Sequence, residues 1–267
     1  MTAALIIALL VLAVAVLAGV AFRFRRRAMD LDRLLDDTND KLERLQIQFG
    51  RFAPSDVIEQ LTEPDAHIAP NRRTVTVLFA DIQEFTTLCD RMDPAEIVPI
   101  LNGYFQCMSR AITEHHGRVT ELTGDGLLAL FGALESNPWK AQDAVLAALD
   151  MRKALAEYNE RLAARDAPQL RFGIGIHQGE VVAGVMGNHD LSKFGVVGDT
   201  INVAARVEGL TRTHEVDLLI TDEVRRSLDA RFRLRGMPPM PVKGKPEPIV
   251  TYFVERLEEA LPARAEG

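Results

Sequence analysis

The sequence predicts an α+β domain in which helices lie against one face of a mostly antiparallel sheet, preceded by one transmembrane helix and a helical linker. Three observations support this fold class. One long apolar run fills most of the first 22 residues, and apolar residues then recur in steps of three and four up to residue 49. From residue 74 onward, the patterns follow in the order strand, helix, hairpin, helix and strand.

The composition is typical of a folded domain and argues against nucleic-acid binding. Hydrophobic residues make up 47% and charged residues 26% of the 267 residues, as in chains with a packed core. The net charge of −7 disfavours a surface that binds nucleic acid. A few Lys or Arg side chains can still bind one small anionic substrate. Cys89 and Cys107 are the only cysteines, which excludes a disulfide framework and suits a reducing compartment.

Residues 1–27 form the predicted membrane anchor. The run from Ala3 to Phe22 is apolar and long enough to cross a bilayer as a helix. A buried soluble helix or a cleaved signal peptide are the alternatives, but no Lys or Arg precedes the run and arginines follow it at positions 23, 25, 26 and 27. Because such clusters stay on the cytoplasmic side, we predict a single-pass protein of the cell (inner) membrane, in contact with lipid, with a cytoplasmic catalytic domain.

Residues 28–50 form a predicted coiled-coil linker. Small or apolar residues recur there with the heptad rhythm that keeps one helical seam facing a partner, at Ala28, Leu31, Leu35, Thr38, Leu42, Leu45 and Phe49. An amphipathic helix lying on its own domain would give a similar pattern. A connecting segment, residues 51–73, follows with a short helix predicted near residues 55–61. The catalytic domain is predicted over residues 74–256, and a tail over 257–267.

The first half of the domain places two acids at strand ends. A buried strand over Thr74–Ala80 ends at Asp81, and a helix follows over Pro94–His115. Two further strands flank a hairpin turn with Asp125 at its tip. Either acid alone is also typical of an ordinary turn or helix cap. Two acids at the tips of neighbouring strands, however, form a ready pair of oxygen ligands for Mg²⁺.

The second half is predicted to supply polar groups for a substrate. A helix over Trp139–Ala164, a strand over Leu170–Ile176, a turn over His177–Gly179 and a strand over Glu180–Gly184 follow in order. On the next helix, which opens near Asp199, Asn202 and Arg206 lie four residues apart and so share one face. They are either a surface pair or groups that orient a sugar and neutralise phosphate.

Several blocks together resemble the class III nucleotide cyclase catalytic domain. These are the segments Phe79–Thr86, Thr123–Asp125 and Val197–Arg206, with a tail at Val242–Tyr252 similar to the family's final strand. The resemblance covers roughly residues 51–256, in the family's order. It implies the ferredoxin-like-derived cyclase fold, with helices flanking the sheet.

The resemblance also implies roles for individual residues. Two Mg²⁺ or Mn²⁺ ions would be bound by Asp81, Asp125 and the carbonyl of Ile82. Asn202 would position the ribose, and Arg206 would stabilise charge on the α-phosphoryl group. Lys243 would hold the outer phosphates, and Glu121 and Gly195 occupy the two positions that contact the purine. Phe85 and Thr86, at the end of the first block, would also bind substrate. In the family, the metal ligands and the Asn/Arg pair come from opposite subunits, which implies a head-to-tail homodimer with a parallel coiled-coil linker.

Three positions depart from the family's usual residues. Glu121 stands where adenylate-forming members carry a Lys, and it can accept from the N1–H and N2 amine of guanine. Gly195 supplies no side chain at the second purine-reading position. Glu84 stands where a small residue is usual, and either approaches the triphosphate or points outward.

These residues predict a nucleotide cyclase that forms a 3′,5′-cyclic monophosphate and pyrophosphate, with GTP favoured over ATP. An adenylate cyclase using ATP is the first alternative. A catalytically silent regulatory dimer and a two-metal phosphohydrolase are the others.

Overall fold

The computed structural model describes residues 71–133, 136–187, 192–242 and 247–258, together with five isolated positions near the N-terminus. The chain divides into two compact units, Met1–Ile68 and Ala69–Gly267. In the first unit, the described positions 23, 35, 38, 39 and 41 are helical. The predicted anchor over Ala3–Phe22 and most of the linker and connecting segment lie outside the described residues. Within the described part, no helix combines the length and apolarity needed to cross a bilayer.

One sheet of eight strands organises the described part of the second unit, and its order is β2-β3-β1-β4-β6-β8-β7, with β5 paired to β4. Only the contact between β4 and β6 is parallel, so the prediction of a mostly antiparallel sheet is confirmed. The strands are β1 (Asn71–Ile82), β2 (Arg118–Thr123), β3 (Gly126–Phe131), β4 (Phe172–Gly187), β5 (Ser192–Val197), β6 (Leu218–Thr221), β7 (Phe232–Gly236) and β8 (Thr251–Leu257).

The helices cover both faces of this sheet, not one face as predicted. They are α1 (Phe85–Cys89), α2 (Pro94–Glu114), α3 (Lys140–Ala163), α4 (Asp199–His214) and α5 (Asp222–Arg225). Alternate side chains of β1, Leu78 and Ala80, join the core that includes α2 and α3. The intervening side chains, Val75 and Val77, pack with Ala204 of α4. Because side chains alternate across a strand, α4 lies on the opposite face from α2 and α3.

The predicted turn over His177–Gly179 is wrong, because β4 is one continuous strand. It pairs with β1 without a break, from Phe172 opposite Ile82 to Ala183 opposite Asn71. His177 and Gly179 are inside this ladder, where their main-chain groups have partners on β1. Gly179 serves packing and not a turn, since a Cβ there would lie 2.7 Å from the hydroxyl oxygen of Thr200 on α4.

Other predicted elements agree closely with the structure. The helix predicted over Pro94–His115 ends at Glu114, and Asp93 caps its N-terminus by accepting from the main-chain N–H of Ala95 at 2.8 Å. The helix predicted over Trp139–Ala164 spans Lys140–Ala163. The β2–β3 hairpin is confirmed. The last strand, by contrast, begins only at Thr251, later than the Val242–Tyr252 tail indicated.

Two glycines of β4 let α4 approach the sheet closely. A Cβ at Gly175 would overlap the main-chain nitrogen of Glu208 and the carbonyl oxygen of Ala204. A Cβ at Gly173 would overlap the side chains of Thr211 and Glu208. The C-terminal half of α4 therefore lies directly on β4. Since Gly173 pairs with Asp81, this contact brings the end of α4 to the end of β1.

Candidate active site

Asp81 and Asp125 lie side by side at one edge of the sheet. Asp81 pairs with Gly126 across the β1–β3 ladder, and Asp125 is the residue before it, in the turn between β2 and β3. Without a side chain, Gly126 leaves room for the Asp81 carboxylate, whose Oδ1 would be 3.3 Å from a Cβ placed there. The pairing of β1 with β3 thus brings together two carboxylates that are 44 residues apart in sequence.

The electrostatics of this pair suit a cation. Burial and the neighbouring Asp81 carboxylate raise the pKa of Asp125, although Arg212 opposes this, as expected when two acids share a site. No group of three or more metal-binding side chains is found in the described ranges. Two carboxylates with a main-chain carbonyl nevertheless fit Mg²⁺ or Mn²⁺, which complete their coordination with water and substrate phosphates. The buried side chain of Ile82 is a hydrocarbon without a ligand atom, so only its main-chain carbonyl can contribute.

The turn after β1 contains three residues singled out in the sequence. Glu84 has a left-handed backbone (φ 60°), which explains why glycine suits this position. Its carboxylate accepts from Arg171 at 3.0 Å, and both side chains are exposed. Phe85, which opens α1, packs against the core, while Thr86 is exposed. Glu84 is thus engaged with a cation on the neighbouring segment.

Asn202 and Arg206 project from the side of α4 that faces away from β4. The side of α4 that contacts β4 is marked by Thr200, which donates to the Glu180 carbonyl at 2.6 Å, and by Ala204 and Glu208, which meet Gly175. Residues 202 and 206 are each offset from these by two positions, or about 200° around the helix. Asn202 is exposed, whereas the Arg206 side chain is 29% exposed, and its Nη1 lies 3.9 Å from Asp199 Oδ1. This Nη1 is buried and has no hydrogen-bond partner within the described structure.

One chain does not bring all the predicted groups to one place. Thr200 bonds to Glu180, which pairs with Thr74, seven residues before Asp81 on β1. At about 3.3 Å per residue, the start of α4 is therefore roughly 20 Å from Asp81. Asn202, near that start, lies far from the carboxylate pair and faces outward. Within the described chain, Asn202 and the carboxylate pair therefore do not meet in one site.

A β-bulge determines where Glu121 points. The β2–β3 register shifts between Val119 and Glu121, so that Glu121 pairs with Leu128. Leu128 also pairs with Phe79 on β1, two residues before Asp81, and thus shares its face. Without the extra residue, Glu121 would have pointed to the opposite, core-facing side. The bulge places Glu121 on the Asp81 face, where it is exposed.

Gly195 and Lys243 are the two remaining residues predicted to bind substrate. Gly195 lies in β5 and pairs with Gly184 of β4. Lys243 lies outside the described residues.

Sequence reasoning missed three polar residues around the carboxylate pair. Arg212 of α4 donates to Asp81 Oδ2 at 2.9 Å, and Glu208 lies one helical turn before it. Burial, together with Asp81 and Asp125, raises the pKa of Glu208 to about 7, although Arg212 opposes this. Tyr104 of α2 is fully buried, and its hydroxyl has no hydrogen-bond partner within the described structure. Only the spacing of Glu208 and Arg212 was visible in the sequence, and that spacing is typical of any surface ion pair.

Comparison with known proteins gives a consistent family assignment. The adenylate cyclase of Anabaena cylindrica is 34% identical over 237 residues, which cover 85% of this chain and 46% of that protein. Adenylate cyclase 1 of Rhizobium meliloti is 28% identical over 216 residues, or 80% of this chain and 32% of that protein. The chain thus spans less than half the length of these curated relatives.

Solved structures show the same fold. A guanylyl cyclase superposes with a TM-score of 0.65 at 34% identity, covering 71% of this chain and 95% of that one. A bacterial light-regulated adenylyl cyclase superposes with a TM-score of 0.72 at 25% identity, covering 86% and 66% respectively. The family model described as the adenylate and guanylate cyclase catalytic domain matches residues 68–256. This match, together with the fold shared with the solved structures, shows that the chain belongs to the adenylate and guanylate cyclase catalytic domain family.

Proposed function

We propose that this protein is a class III nucleotide cyclase that converts a purine nucleoside triphosphate to the 3′,5′-cyclic monophosphate and pyrophosphate. The observation that carries the proposal is the adjacency of Asp81 and Asp125 on a domain of the cyclase family. The outward Asn202 and Arg206 supply what that pair lacks, an amide and a cation for the substrate.

The chain's own residues have distinct tasks in this reaction. Asp81, Asp125 and the Ile82 carbonyl would hold two Mg²⁺ or Mn²⁺ ions, which activate the ribose 3′-hydroxyl and neutralise the triphosphate when bound. Asn202 orients the ribose so that the 3′-hydroxyl stands in line with the α-phosphorus. Arg206 donates to the α-phosphoryl oxygens as negative charge develops there. Lys243, Phe85 and Thr86 are proposed to hold the remainder of the substrate.

The proposal includes a homodimer. Asn202 lies roughly 20 Å along the sheet from the start of the carboxylate site, by the strand spacing given above. A head-to-tail dimer would pair the Asn/Arg face of one subunit with the carboxylates of its partner, giving two equivalent sites. A coiled coil over residues 28–50 would hold the two chains in parallel.

GTP is the substrate we favour. Glu121 points to the Asp81 face of the sheet and carries an acceptor that suits the N1–H and N2 amine of guanine. A solved relative at 34% identity is named a guanylyl cyclase, whereas curated relatives are named adenylate cyclases. ATP is therefore the second candidate. Gly195 offers no side chain to the base. We therefore expect weaker discrimination between GTP and ATP than in a site with polar side chains at both purine-contacting positions.

Product analysis with both nucleotides tests the proposal. The full chain in detergent, supplied with Mn²⁺ and either ATP or GTP, is expected to release pyrophosphate and the cyclic nucleotide, with GTP preferred. Glu121→Lys should shift the kcat/KM ratio toward ATP by about tenfold, because one lost and one gained hydrogen bond to the base are involved. If Glu121→Lys left the ratio of kcat/KM for GTP and ATP unchanged, Glu121 would not be the residue that recognises the purine.

The same experiment separates the alternative functions. A silent regulatory module would give no product with either nucleotide. A two-metal phosphohydrolase would give a linear monophosphate in place of the cyclic product.

We also propose that residues 1–27 anchor the protein in the inner membrane, with the domain in the cytoplasm. The basis is the apolar run from Ala3 to Phe22, followed by four arginines. Cell fractionation tests this directly. The full chain should stay with membranes after a carbonate wash, and a chain lacking residues 1–27 should not.

A further inference from the structure

Arg212 lies between two carboxylates at the end of α4. Its Nη2 atom donates to Asp81 Oδ2 at 2.9 Å and lies 3.6 Å from Glu208 Oε1. The same nitrogen therefore has one close acceptor and a second acceptor slightly farther away. Arg212 is half exposed, with 46% of its side chain accessible, so the guanidinium is able to move.

Glu208 is a buried acidic residue next to Asp81 and Arg212. Its side chain is 5% exposed, and Oε1 has no hydrogen-bond partner within the described structure. The carboxylate lies over Gly173, which pairs with Asp81. A buried, unsatisfied carboxylate is costly unless a cation or donor reaches it, and the nearest cation recorded for it is Arg212.

We propose that Arg212 is a positioning residue that occupies Asp81 in the metal-free protein and moves to Glu208 when a divalent cation binds. This inference rests on the assignment of Asp81 as a metal ligand in the proposed function. It adds a competing internal cation and an acceptor for it, both on α4.

The physical reason is that Asp81 cannot serve both cations equally well. A divalent ion and the guanidinium repel each other, and both draw on the same carboxylate oxygens. The displaced guanidinium finds Glu208 Oε1 within about 1 Å of further movement, because the two distances from Nη2 are 2.9 and 3.6 Å. Pairing with Arg212 then satisfies the buried Glu208 carboxylate and offsets part of the cost of vacating Asp81.

Direct Mn²⁺ binding to the full chain in detergent, without nucleotide, tests this inference. Electron paramagnetic resonance of free Mn²⁺ gives the dissociation constant without reference to catalysis. Arg212→Gln removes the competitor and should tighten binding by about two- to fivefold, the range of a partly exposed ion pair. Glu208→Gln leaves Arg212 on Asp81 and should weaken binding by a similar factor. Arg212→Lys retains the charge and should bind within about twofold of wild type.

The double variant Arg212→Gln/Glu208→Gln gives the decisive result. If Glu208 acts by receiving Arg212, then Glu208→Gln should have no effect once Arg212 is gone. If Glu208 merely adds negative charge near the metal, its effect should persist in the double variant, and that outcome overturns the inference. Weaker binding in Arg212→Gln alone also overturns it, because Arg212 would then support the Asp81 geometry and not compete with metal.

Two further variants keep this result separate from the proposed function. Arg231→Gln is the matched control, since Arg231 pairs with Asp229 at 2.8 Å and is 49% exposed; its Mn²⁺ affinity should equal that of wild type. Asp125→Asn should lose affinity for Mn²⁺. If Asp125→Asn binds Mn²⁺ as wild type does, the metal assignment fails. If it binds weakly and Arg212→Gln equals wild type, only the present inference fails.

Discussion

Asp125, a metal ligand in the proposed function, is expected to lower the stability of the metal-free protein when it is ionised. Burial and Asp81 raise its pKa in the folded state above the unfolded value. Ionised Asp125 therefore disfavours folding, and the penalty grows as pH rises through the folded-state pKa. Asparagine keeps the shape of the side chain without its charge.

We predict that Asp125→Asn lowers cyclic nucleotide formation on the order of a hundredfold or more, the scale of losing a metal contact. In metal-free buffer its thermal unfolding midpoint should exceed that of wild type at pH 8, and the gain should vanish as the pH falls below the unfolded pKa of an aspartate. Activity assays with Mn²⁺ and thermal unfolding with a chelator measure the two effects. Full activity, or a lower midpoint at pH 8, would contradict the role assigned to Asp125.

Glu208 gives the protein a second pH-dependent feature. Its pKa is raised by burial from 4.5 to about 7 in the folded state, so protonated Glu208 favours folding. The resulting stability is complete below pH 4.5 and is lost as pH rises through about 7. The shift corresponds to at most about 3 kcal/mol.

We therefore predict that Glu208→Gln flattens the pH dependence of metal-free stability between pH 5 and 8. Glutamine resembles the protonated acid and should raise the free energy of unfolding at pH 8, with little change at pH 5. Denaturant unfolding at several pH values measures this. The prediction fails if wild type and Glu208→Gln lose stability in parallel over this range.

At the scale of elements, the contact between α4 and β4 determines the positions of Asn202, Arg206, Glu208 and Arg212. Gly175 has no space for a side chain, because a Cβ would meet main-chain atoms of α4 that cannot move alone. Gly209, within α4 itself, has no heavy atom within 4 Å of the corresponding point. Gly175 is thus a glycine at the contact between the two elements, and Gly209 is one that faces open space.

We predict that Gly175→Ala destabilises the domain by about 2 kcal/mol or more, since α4 must shift away from the sheet. Gly209→Ala should instead stabilise it by about 0.5–1 kcal/mol, because alanine is the better helix former. Equilibrium unfolding of both variants gives these values. If Gly175→Ala were as stable as wild type, α4 could not lie against β4 as closely as described.

Helices and strands with strong local patterns were predictable, and irregular ones were not. Helix α2 was found within one residue at its C-terminus, because its apolar spacing and the Pro at its start are local features. The continuity of β4 was missed, since His177–Gly179 has the composition of a turn and only pairing with β1 keeps it extended. The bulge before Glu121 likewise depends on the neighbouring strand.

At the scale of the whole molecule, the position of Asn202 and Arg206 on the side of α4 away from β4 leads us to predict a shared active site. In the proposed dimer, each site takes its carboxylates from one subunit and its Asn/Arg pair from the other. A subunit with Asp125→Asn and one with Arg206→Ala then form one intact site between them. Neither variant can form such a site with a copy of itself.

We predict that each variant alone is inactive and that coexpression restores activity. With random pairing of equal amounts, half of the dimers are mixed and carry one intact site of two, which gives about a quarter of the wild-type activity. Coexpression of Asp125→Asn with Asp81→Asn is the control and should restore none. If the first mixture stays inactive, the groups act within one chain and the dimer proposal is wrong.

The sequence by itself identified the family and singled out Asp81, Asp125, Asn202 and Arg206 as candidate site residues. Local spacing was enough for this, because Asp81 and Asp125 each follow a recognisable strand and Asn202 and Arg206 fall one helical turn apart. Tertiary structure alone decided which of these meet. Pairing of β1 with β3 joins Asp81 to Asp125, and the glycines of β4 bring Arg212 to Asp81, 131 residues away. Such long-range contacts depend on strand register and close packing, which no local pattern encodes.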